Sequence, residues 1–426
     1  MYRIKDIKLA KQGHINLSLA EREMPVMEII KAEFKKTKPF SAKGGSASGG
    51  KGITIAACLH VTKETGVLVK ALVAGGAKVA IAASNPLSTQ DDIAAALADM
   101  GVNVFAWKGI SNKDYYTCIN KVLDFKPQMI IDDGADVISI VHGDRKELLK
   151  TIWAGQEETT TGVIRLKAMA RDGALKFPVV AVNDTPTKHM FDNYYGTGQS
   201  TMDGLLRAMN VLLSGKVVVV AGYGYCGAGM ALRAKGLGAR VVVTEVDPLP
   251  ALKAAMDGFE VMPMAEAAKI GDVFLTATGD KDVIVEKHMK LMKSGAILGN
   301  SGHFNVEINL PDLQKLSKSS RQVRDQVMEY TMKNGRVLYL IAEGRLMNLA
   351  AAEGHPSAVM DMSFADQALT CQWLVKNYKD LGQDVFNVPK EIDEKVSRLK
   401  LAAMGVKIDV LTPVQKKYLA SWQEGT

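Results

Sequence analysis

The sequence predicts an α/β protein built as two doubly wound parallel-sheet units in tandem, with a helical extension at its C-terminal end. Three observations predict it. Short apolar runs alternate with helical stretches through the first half of the chain, the alternation restarts at Lys216, and after about Ser357 the pattern is helical alone. Strands that alternate with crossover helices pair in parallel. At 426 residues and 47% apolar content, the chain can bury more than one core.

The first forty residues read as helix, since LSLAEREMPVMEIIKAEF spaces its apolar side chains helically and Pro39 closes the run. SAKGGSASGG then interrupts. ITIAACL, KVAIAA, NVFAW and QMIIDDG read as strands, with KETGVLVKALVAGG and QDDIAAALADMG as helices between them. In the second unit VVVVAG, RVVVTE, EVMPM, DVFLTATG, AILGNSG and VLYLIAEG are six candidate strands. DMSFADQALTCQWLVKNY and EIDEKVSRLKLAAMG are helices, too short for a domain of comparable size, and are expected to pack back on the first unit or on a neighbouring subunit.

Composition narrows the function. No apolar run approaches the roughly 18 residues that cross a bilayer, and MYRIKDIKLAKQ has neither the apolar core nor the cleavage site of a signal peptide, so a cytoplasmic protein with no membrane role is expected. Cys58, Cys118, Cys226 and Cys371 form no C-x-x-C pair, which suggests neither a zinc ribbon nor a disulfide framework, and no metal is expected. The net charge of +7 is dispersed along the chain, unlike the concentrated charge of nucleic-acid modules. Lys31 to Lys51 holds six lysines against one acid and reads as a solvated face or loop.

Two glycine loops compete for attention. GSASGGK, Gly45 to Lys51, imitates a phosphate-binding loop, but Gly52 replaces the Ser or Thr that would hold magnesium, and the segment precedes a strand instead of following one. It reads as a linker. Gly222, Gly224 and Gly227 complete G-x-G-x-x-G within AGYGYCGAG, directly after VVVVA and before GMALRAKGLG, which suits a pyrophosphate at a helix N-terminus. Glu245, 21 residues after Gly224, ends the next strand, where a carboxylate accepts the ribose hydroxyls of NAD and repels the 2′-phosphate of NADP. The second unit therefore reads as Rossmann-like; an unliganded tight turn is the bland alternative. Thr278, Ser301-Gly302-His303 and Asn348 stand at the ends of later strands, where such sheets bind ligands.

The first unit gathers polar residues at its strand ends: His60 and Thr62 in CLHVT, Asp132 and Asp133 in IIDDG, and Glu157 and Glu158 before Thr159, Thr160 and Thr161, which look like a helix start. In NDTPTKHMFDN, Thr185 or Thr187 can cap a short helix begun at Pro186, which places Lys188 and Asp192 on one face. On a surface that pair contributes only a few tenths of a kcal/mol. Buried at the entry to the second unit, Lys188 could have its pKa lowered and act as a base.

Taken together, CLHVT, NPLSTQD, AWKG, IIDDGAD, EETTTG, NDTPTKHMFDN, GYGYCGAG, TEVDP, GHF and AEGRLMNLA followed by GHPS resemble the S-adenosylhomocysteine hydrolase (adenosylhomocysteinase) family over nearly the whole chain. YYGTGQS and KKYLASWQEGT look most like its archaeal members. The resemblance implies a substrate domain over 1–185 and 356–403, an NAD domain over 198–352 and an extension over 404–426. It implies NAD as a tightly held catalyst that oxidises the ribose 3′-hydroxyl, acidifies the C4′ proton, lets homocysteine leave, and is restored after water adds.

Carried over by position, Lys188 matches the base for the 3′-hydroxyl, with Asp192 and Asn193 beside it. Asp133 and His60 match proton-transfer groups at C4′ and C5′; Glu158 matches a ribose contact, and Thr62 and Glu64 the base site, Glu64 accepting from adenine's 6-amino group. Thr159, Thr160 and Thr161 resemble NAD contacts, as do Tyr225, Cys226, Ala228 and Gly229 of the glycine loop. Asn348 matches a place near the nicotinamide, and His303 and His355 lie in substrate-closing loops that also reach the cofactor.

Tyr225 and Ala228 replace an acidic or Trp residue and a basic one, and Thr197 replaces a cysteine, found in many relatives. The chain stops before a Lys-and-Tyr tail that reaches a neighbouring subunit in many of them, and SAKGGSASGG looks like an insertion. Adenosine is expected over inosine. A small-molecule substrate and a homotetramer are implied, with a conventional dehydrogenase or a non-catalytic NAD-binding regulator as the other readings.

Overall fold

The computed structural model describes residues 1–41 and 52–423; GSASGGK lies outside the described residues. The strands are β1 (Tyr2–Arg3), β2 (Thr54–Leu59), β3 (Lys78–Ala83), β4 (Asn103–Phe105), β5 (Met129–Asp132), β6 (Ala154–Glu157), β7 (Val179–Ala181), β8 (Val217–Ala221), β9 (Arg240–Thr244), β10 (Glu260–Val261), β11 (Val273–Thr276), β12 (Ala296–Asn300), β13 (Ser317–Arg324), β14 (Val327–Met332), β15 (Val337–Ile341) and β16 (Val385–Asn387). They form two sheets, ordered β1-β4-β3-β2-β5-β6-β7-β16 and β10-β9-β8-β11-β12-β15-β14-β13. The first is parallel throughout. In the second, β14 runs antiparallel to β15, and β13 antiparallel to β14.

Helices cover both faces of each sheet, and this explains why the strands read as continuous apolar runs without alternation. In β2, Ile55, Ala57 and Leu59 enter one core while Ala56 and Cys58 enter the core behind the sheet. In β8, Val218 and Val220 oppose Val219 in the same way.

Three expectations change. The single N-terminal helix is two, Ala10–Glu23 and Pro25–Thr37. Pro25 has no N–H to give and disfavours helical backbone at Met24, which sits at φ −120°, ψ 59°. The β13–β14 hairpin is absent from the sequence reading, because SKSSRQVR lies on an open edge with no fully buried side chain to mark it. The short strands β1, β6, β7 and β16 also escaped that reading, being too short to carry a period of their own.

The chain returns to its first unit at the end. Helix Ser357–Asn377 packs on helices Pro25–Thr37 and Lys63–Ala74, β16 extends the first sheet beside β7, and helix Lys390–Ala403 lies on the Ser357–Asn377 helix. Beyond it, helix Pro413–Leu419 buries none of its residues.

Candidate active site

A cavity of about 140 Å³ opens where the two sheets' strand ends meet. The first unit supplies His60, Thr62 and Glu64 after β2, Asp133 after β5, Glu158, Thr159 and Thr160 after β6, and Lys188, Asp192 and Asn193 after β7. The second supplies Cys226, Ser301, His303 and Asn348, with His355 in the loop that leads into helix Ser357–Asn377. Residues three hundred positions apart thus share one enclosure.

Neighbouring acids divide their labour. Asp132 accepts from the backbone N–H of Asp133 and Ile138, and Glu157 from those of Gly134, Ala135 and Thr159, so both brace the loops. Burial raises the pKa of each, that of Asp132 to about 8. Asp133 and Glu158 face the cavity instead.

Lys188 is buried with its Nζ 2.9 Å from Asn193 Oδ1, 3.4 Å from Asn183 Oδ1, 3.4 Å from Glu158 Oε1 and 3.5 Å from Asp192 Oδ1. The expected four-residue spacing to Asp192 is met by a turn at Pro186–Lys188 that continues as a π-helical segment, His189–Gly196. The expected lowering of its pKa is overturned. Burial pushes the ammonium down, but the Asp192 and Glu158 carboxylates outweigh burial and hold its pKa above the ordinary lysine value.

The capping role expected of Thr185 or Thr187 also fails. Thr185 occupies the cap position without a side-chain bond, and Thr187 donates its hydroxyl to Asp366 at 2.8 Å. Burial alone would raise Asp192, yet Lys188 and His355 hold it below the usual carboxylate range; His355 Nδ1 stands 3.0 Å from its Oδ1. Burial takes Glu158 up to about 8, the Asp192 and Asp133 charges adding to it and Lys188 opposing.

At the other end, His60 Nε2 lies 3.1 Å from Asp133 Oδ2, and His303 Nδ1 lies 3.6 Å from Asp133 Oδ1. Burial lowers His60 to about 4 in spite of Asp133, so the imidazole is neutral and can exchange a proton with the carboxylate. Its Nδ1 meets Ser88 Oγ at 2.8 Å and Ser84 Oγ at 3.2 Å. The three groups present ligand-type atoms within 4.8 Å of one another, a convergence that no sequence spacing reveals.

Glu64 lines the same cavity, with Ser357 Oγ donating to its Oε1 at 2.5 Å and Lys63 Nζ at 3.3 Å. Thr62 caps the helix Lys63–Ala74, its Oγ1 accepting from the Thr65 N–H, while also lining the cavity.

A second cavity of about 1100 Å³ adjoins the first along the strand ends of the second sheet. It is lined by Gly222, Gly224, Tyr225 and Cys226, by Glu245, by Thr278, by Ser301, Gly302 and His303, and on the first unit's side by Thr159, Thr160, Thr161 and Asn193. The residues fit a dinucleotide. Helix Tyr225–Gly236 begins at Gly224 with no side chain capping its N–H groups, so these remain for a diphosphate. Glu245 is oriented by the N–H groups of Tyr223, Val246 and Asp247. The buried Oδ1 of Asn348 has no partner among the described residues and suits the amide N–H of a nicotinamide.

Some expected cofactor contacts fall elsewhere. Gly227, Ala228 and Gly229 turn away from the cleft: a Cβ on Gly227 would stand 1.9 Å from Gly222 O, Ala228 joins the core, and Gly229 packs on the Tyr194 carbonyl. His355 lines the smaller cavity and not the larger, while Asn348 lines the smaller one at the end that adjoins the cofactor cleft. Thr159 takes the N-cap position of helix Thr160–Arg171, so the helix start expected at the threonines is met, though without a side-chain cap bond. The sequence reading missed Ser84, Ser88, Asn183, Ser357, Ser363 and Gln367, each of which touches a cavity-lining group. The last two stand on a helix that also buries Asp361, Asp366 and Thr370, so no contrast with apolar neighbours marks them.

Two α/β lobes, with a dinucleotide cleft opening onto an enclosed lysine–carboxylate–histidine cavity, define an enzyme that uses NAD. Residues 1–156 match the family described as S-adenosyl-L-homocysteine hydrolase, and 193–354 match its NAD binding domain. An Aquifex aeolicus adenosylhomocysteinase is 56% identical over all of both chains, and one from Pyrococcus abyssi is 56% identical over 100% of this chain and 98% of that protein. An S-inosyl-L-homocysteine hydrolase from Methanocaldococcus jannaschii is 55% identical over all of both. The chain belongs to the S-adenosyl-L-homocysteine hydrolase family.

Proposed function

We propose that this protein reversibly hydrolyses S-adenosyl-L-homocysteine to adenosine and L-homocysteine. The observation that carries the reading is the enclosure of Lys188, Glu158 and Asp192 beside Asp133 and His60, at the foot of a dinucleotide cleft. NAD held along the glycine loop and Glu245 would supply reversible hydride chemistry at the ribose 3′ carbon, which would make the neighbouring 4′ hydrogen acidic.

The chain's own residues do the rest. Lys188, Glu158 and Asp192 bind the ribose hydroxyls and manage the 3′ proton, the charged ammonium stabilising the oxygen as it loses hydrogen. Asp133 and neutral His60 exchange the protons at C4′ and at the 5′ position, with Ser84 and Ser88 orienting the imidazole. Thr62 and Glu64 hold the base. The first sheet with residues 356–403 serves as substrate domain, and 198–352 as cofactor domain.

Glu64 supports adenine, because its buried carboxylate accepts and the 6-amino group donates. The inosyl alternative is favoured by the Methanocaldococcus jannaschii relative.

Exposed apolar side chains on the extension, Val410 at 80%, Val414 at 77% and Trp422 at 91%, support a homo-oligomer, which we take to be a tetramer. Four free cysteines, three of them buried, are in keeping with the reducing cytoplasm. Among the described residues no helix is long and apolar enough to cross a membrane.

The deciding assay follows free thiol and bound-cofactor absorbance with each thioether in turn. Thiol release with no more than one reduced cofactor per site, and a higher kcat/KM for the adenosyl compound, is the expected result. Continuous accumulation of reduced cofactor without thiol would mean a dehydrogenase, and faster inosyl turnover would reverse the base preference. Lys188→Ala should abolish both signals, whereas Asp133→Ala should keep part of the oxidation and block thiol release.

A further inference from the structure

Helix Ser357–Asn377 is buried along most of its length, and it carries polar side chains inward where apolar ones would cost nothing. Ser363 Oγ donates to Asp192 Oδ2 at 2.8 Å, and Gln367 Nε2 donates to Glu158 Oε2. The amide turns its NH2 end toward Glu158, whose carboxylate oxygen accepts. The opposite end, Gln367 Oε1, is buried with no partner among the described residues, so the bond to Glu158 is what sets the amide's direction.

The register of this contact is locked from behind. Gln156, two residues before Glu158, sends its Nε2 to the Gln367 carbonyl at 3.3 Å and to Cys371 Sγ at 2.8 Å. Helix and strand β6 therefore cannot slide past one another without breaking the polar ties on both sides of Glu158.

With Oε2 held by Gln367, the other oxygen, Oε1, faces Lys188 Nζ at 3.4 Å. We propose that Gln367 is a positioning residue of the ribose site: it fixes which oxygen of Glu158 faces Lys188 and the cavity, and it favours the ionised carboxylate that a ribose hydroxyl needs as acceptor. This rests on the hydrolase reading above.

The surrounding charges make the donor matter. Asp192 from the π-helical segment and Asp133 from the loop after β5 both push a proton onto Glu158, burial does the same, and Lys188 alone among the charged neighbours opposes them. Gln367 is the uncharged donor on that side. Removing a hydrogen bond to the charged form of an acid raises its pKa.

The test uses the NAD-loaded protein with adenosine, measuring affinity by calorimetry and single-turnover cofactor reduction by absorbance, each across pH. In the wild type both should strengthen as pH rises through one midpoint. Gln367→Met keeps the volume and loses the donor, and should move that midpoint up by about one pH unit while recovering wild-type values at higher pH. Gln367→Glu keeps the shape and adds a like charge, and should move it further in the same direction.

A role in packing alone would weaken binding and rate equally at every pH, and two folded variants with unmoved midpoints would overturn the assignment. If Gln367→Met does not fold, the isosteric Gln367→Glu decides by the same criterion. Wild-type protein that never reduces its cofactor with adenosine would instead sink the hydrolase reading, so the two failures are distinguishable.

Discussion

Lys188 sits among more negative charge than its burial can offset. That balance inverts the simplest idea of a buried base, since the side chain stays an ammonium in the ligand-free protein and acts first by its charge. His60 shows the opposite outcome, for burial defeats its carboxylate neighbour and the ring stays neutral down to about pH 4.

The sign of the consequence is fixed. An unfolded histidine binds its proton near pH 6.5 and the folded one near 4, so the unfolded chain holds more protons between these values, and stability falls as pH drops through that window. We expect the melting temperature to decline from pH 6.5 to 4 more steeply in the wild type than in His60→Asn, by an amount on the order of 3 kcal/mol at most. Equal slopes in the two melting series would contradict a depressed His60. Gly134 shows how little slack this end of the site has: its φ is +107°, and a Cβ there would stand 2.3 Å from His303 Nε2.

At the scale of elements, the helix Ser357–Asn377 does the work of an inner wall. Ser357 holds Glu64 at the base end, Met360 and Phe364 line the cavity, and Ser363 and Gln367 hold Asp192 and Glu158 at the ribose end. One helix thereby spaces both ends of the substrate site. Ser363→Ala leaves a buried carboxylate oxygen short of a donor, a loss worth about 1–3 kcal/mol. Denaturant unfolding should show a lower midpoint with an unchanged slope; an unchanged midpoint would mean that the hydroxyl is not needed there. The π-helical segment contributes in another way, bringing Asp192 back toward Lys188 while Asn193 reaches the same Nζ.

For the whole molecule, the lobes are drawn together over the cavity. Lys108 Nζ donates to Ala350 O at 2.9 Å, Lys63 pairs with Glu353 at 3.1 Å, and His303 lies against Asp133. Of these only the Lys63–Glu353 pair is exposed, and such a pair contributes at most about 1 kcal/mol to holding the lobes together. The extension makes a stronger demand. A seven-residue helix with none of its residues buried is not stable alone in water, and its apolar side chains call for a cover. Truncation after Ala403 should lower the particle mass by light scattering while leaving thermal unfolding of the lobes near its original temperature. An unchanged mass would place the assembly contacts elsewhere.

Reading in chain order recovers whatever depends on near neighbours. The two alternating series, the glycine loop with Glu245, and the Lys188–Asp192 spacing were all legible, because strand length, turn chemistry and helical period act within about twenty residues. The choice of Asp133 over Asp132 and its pairing with His60 came only through the family resemblance, and the contact with His303 and the polar stripe behind the ribose site were not legible at all. These depend on which strand ends face one another across the lobes, and on burial, which decides whether a charge outweighs desolvation. Sequence proximity carries no information about either quantity; only the packed chain sets them.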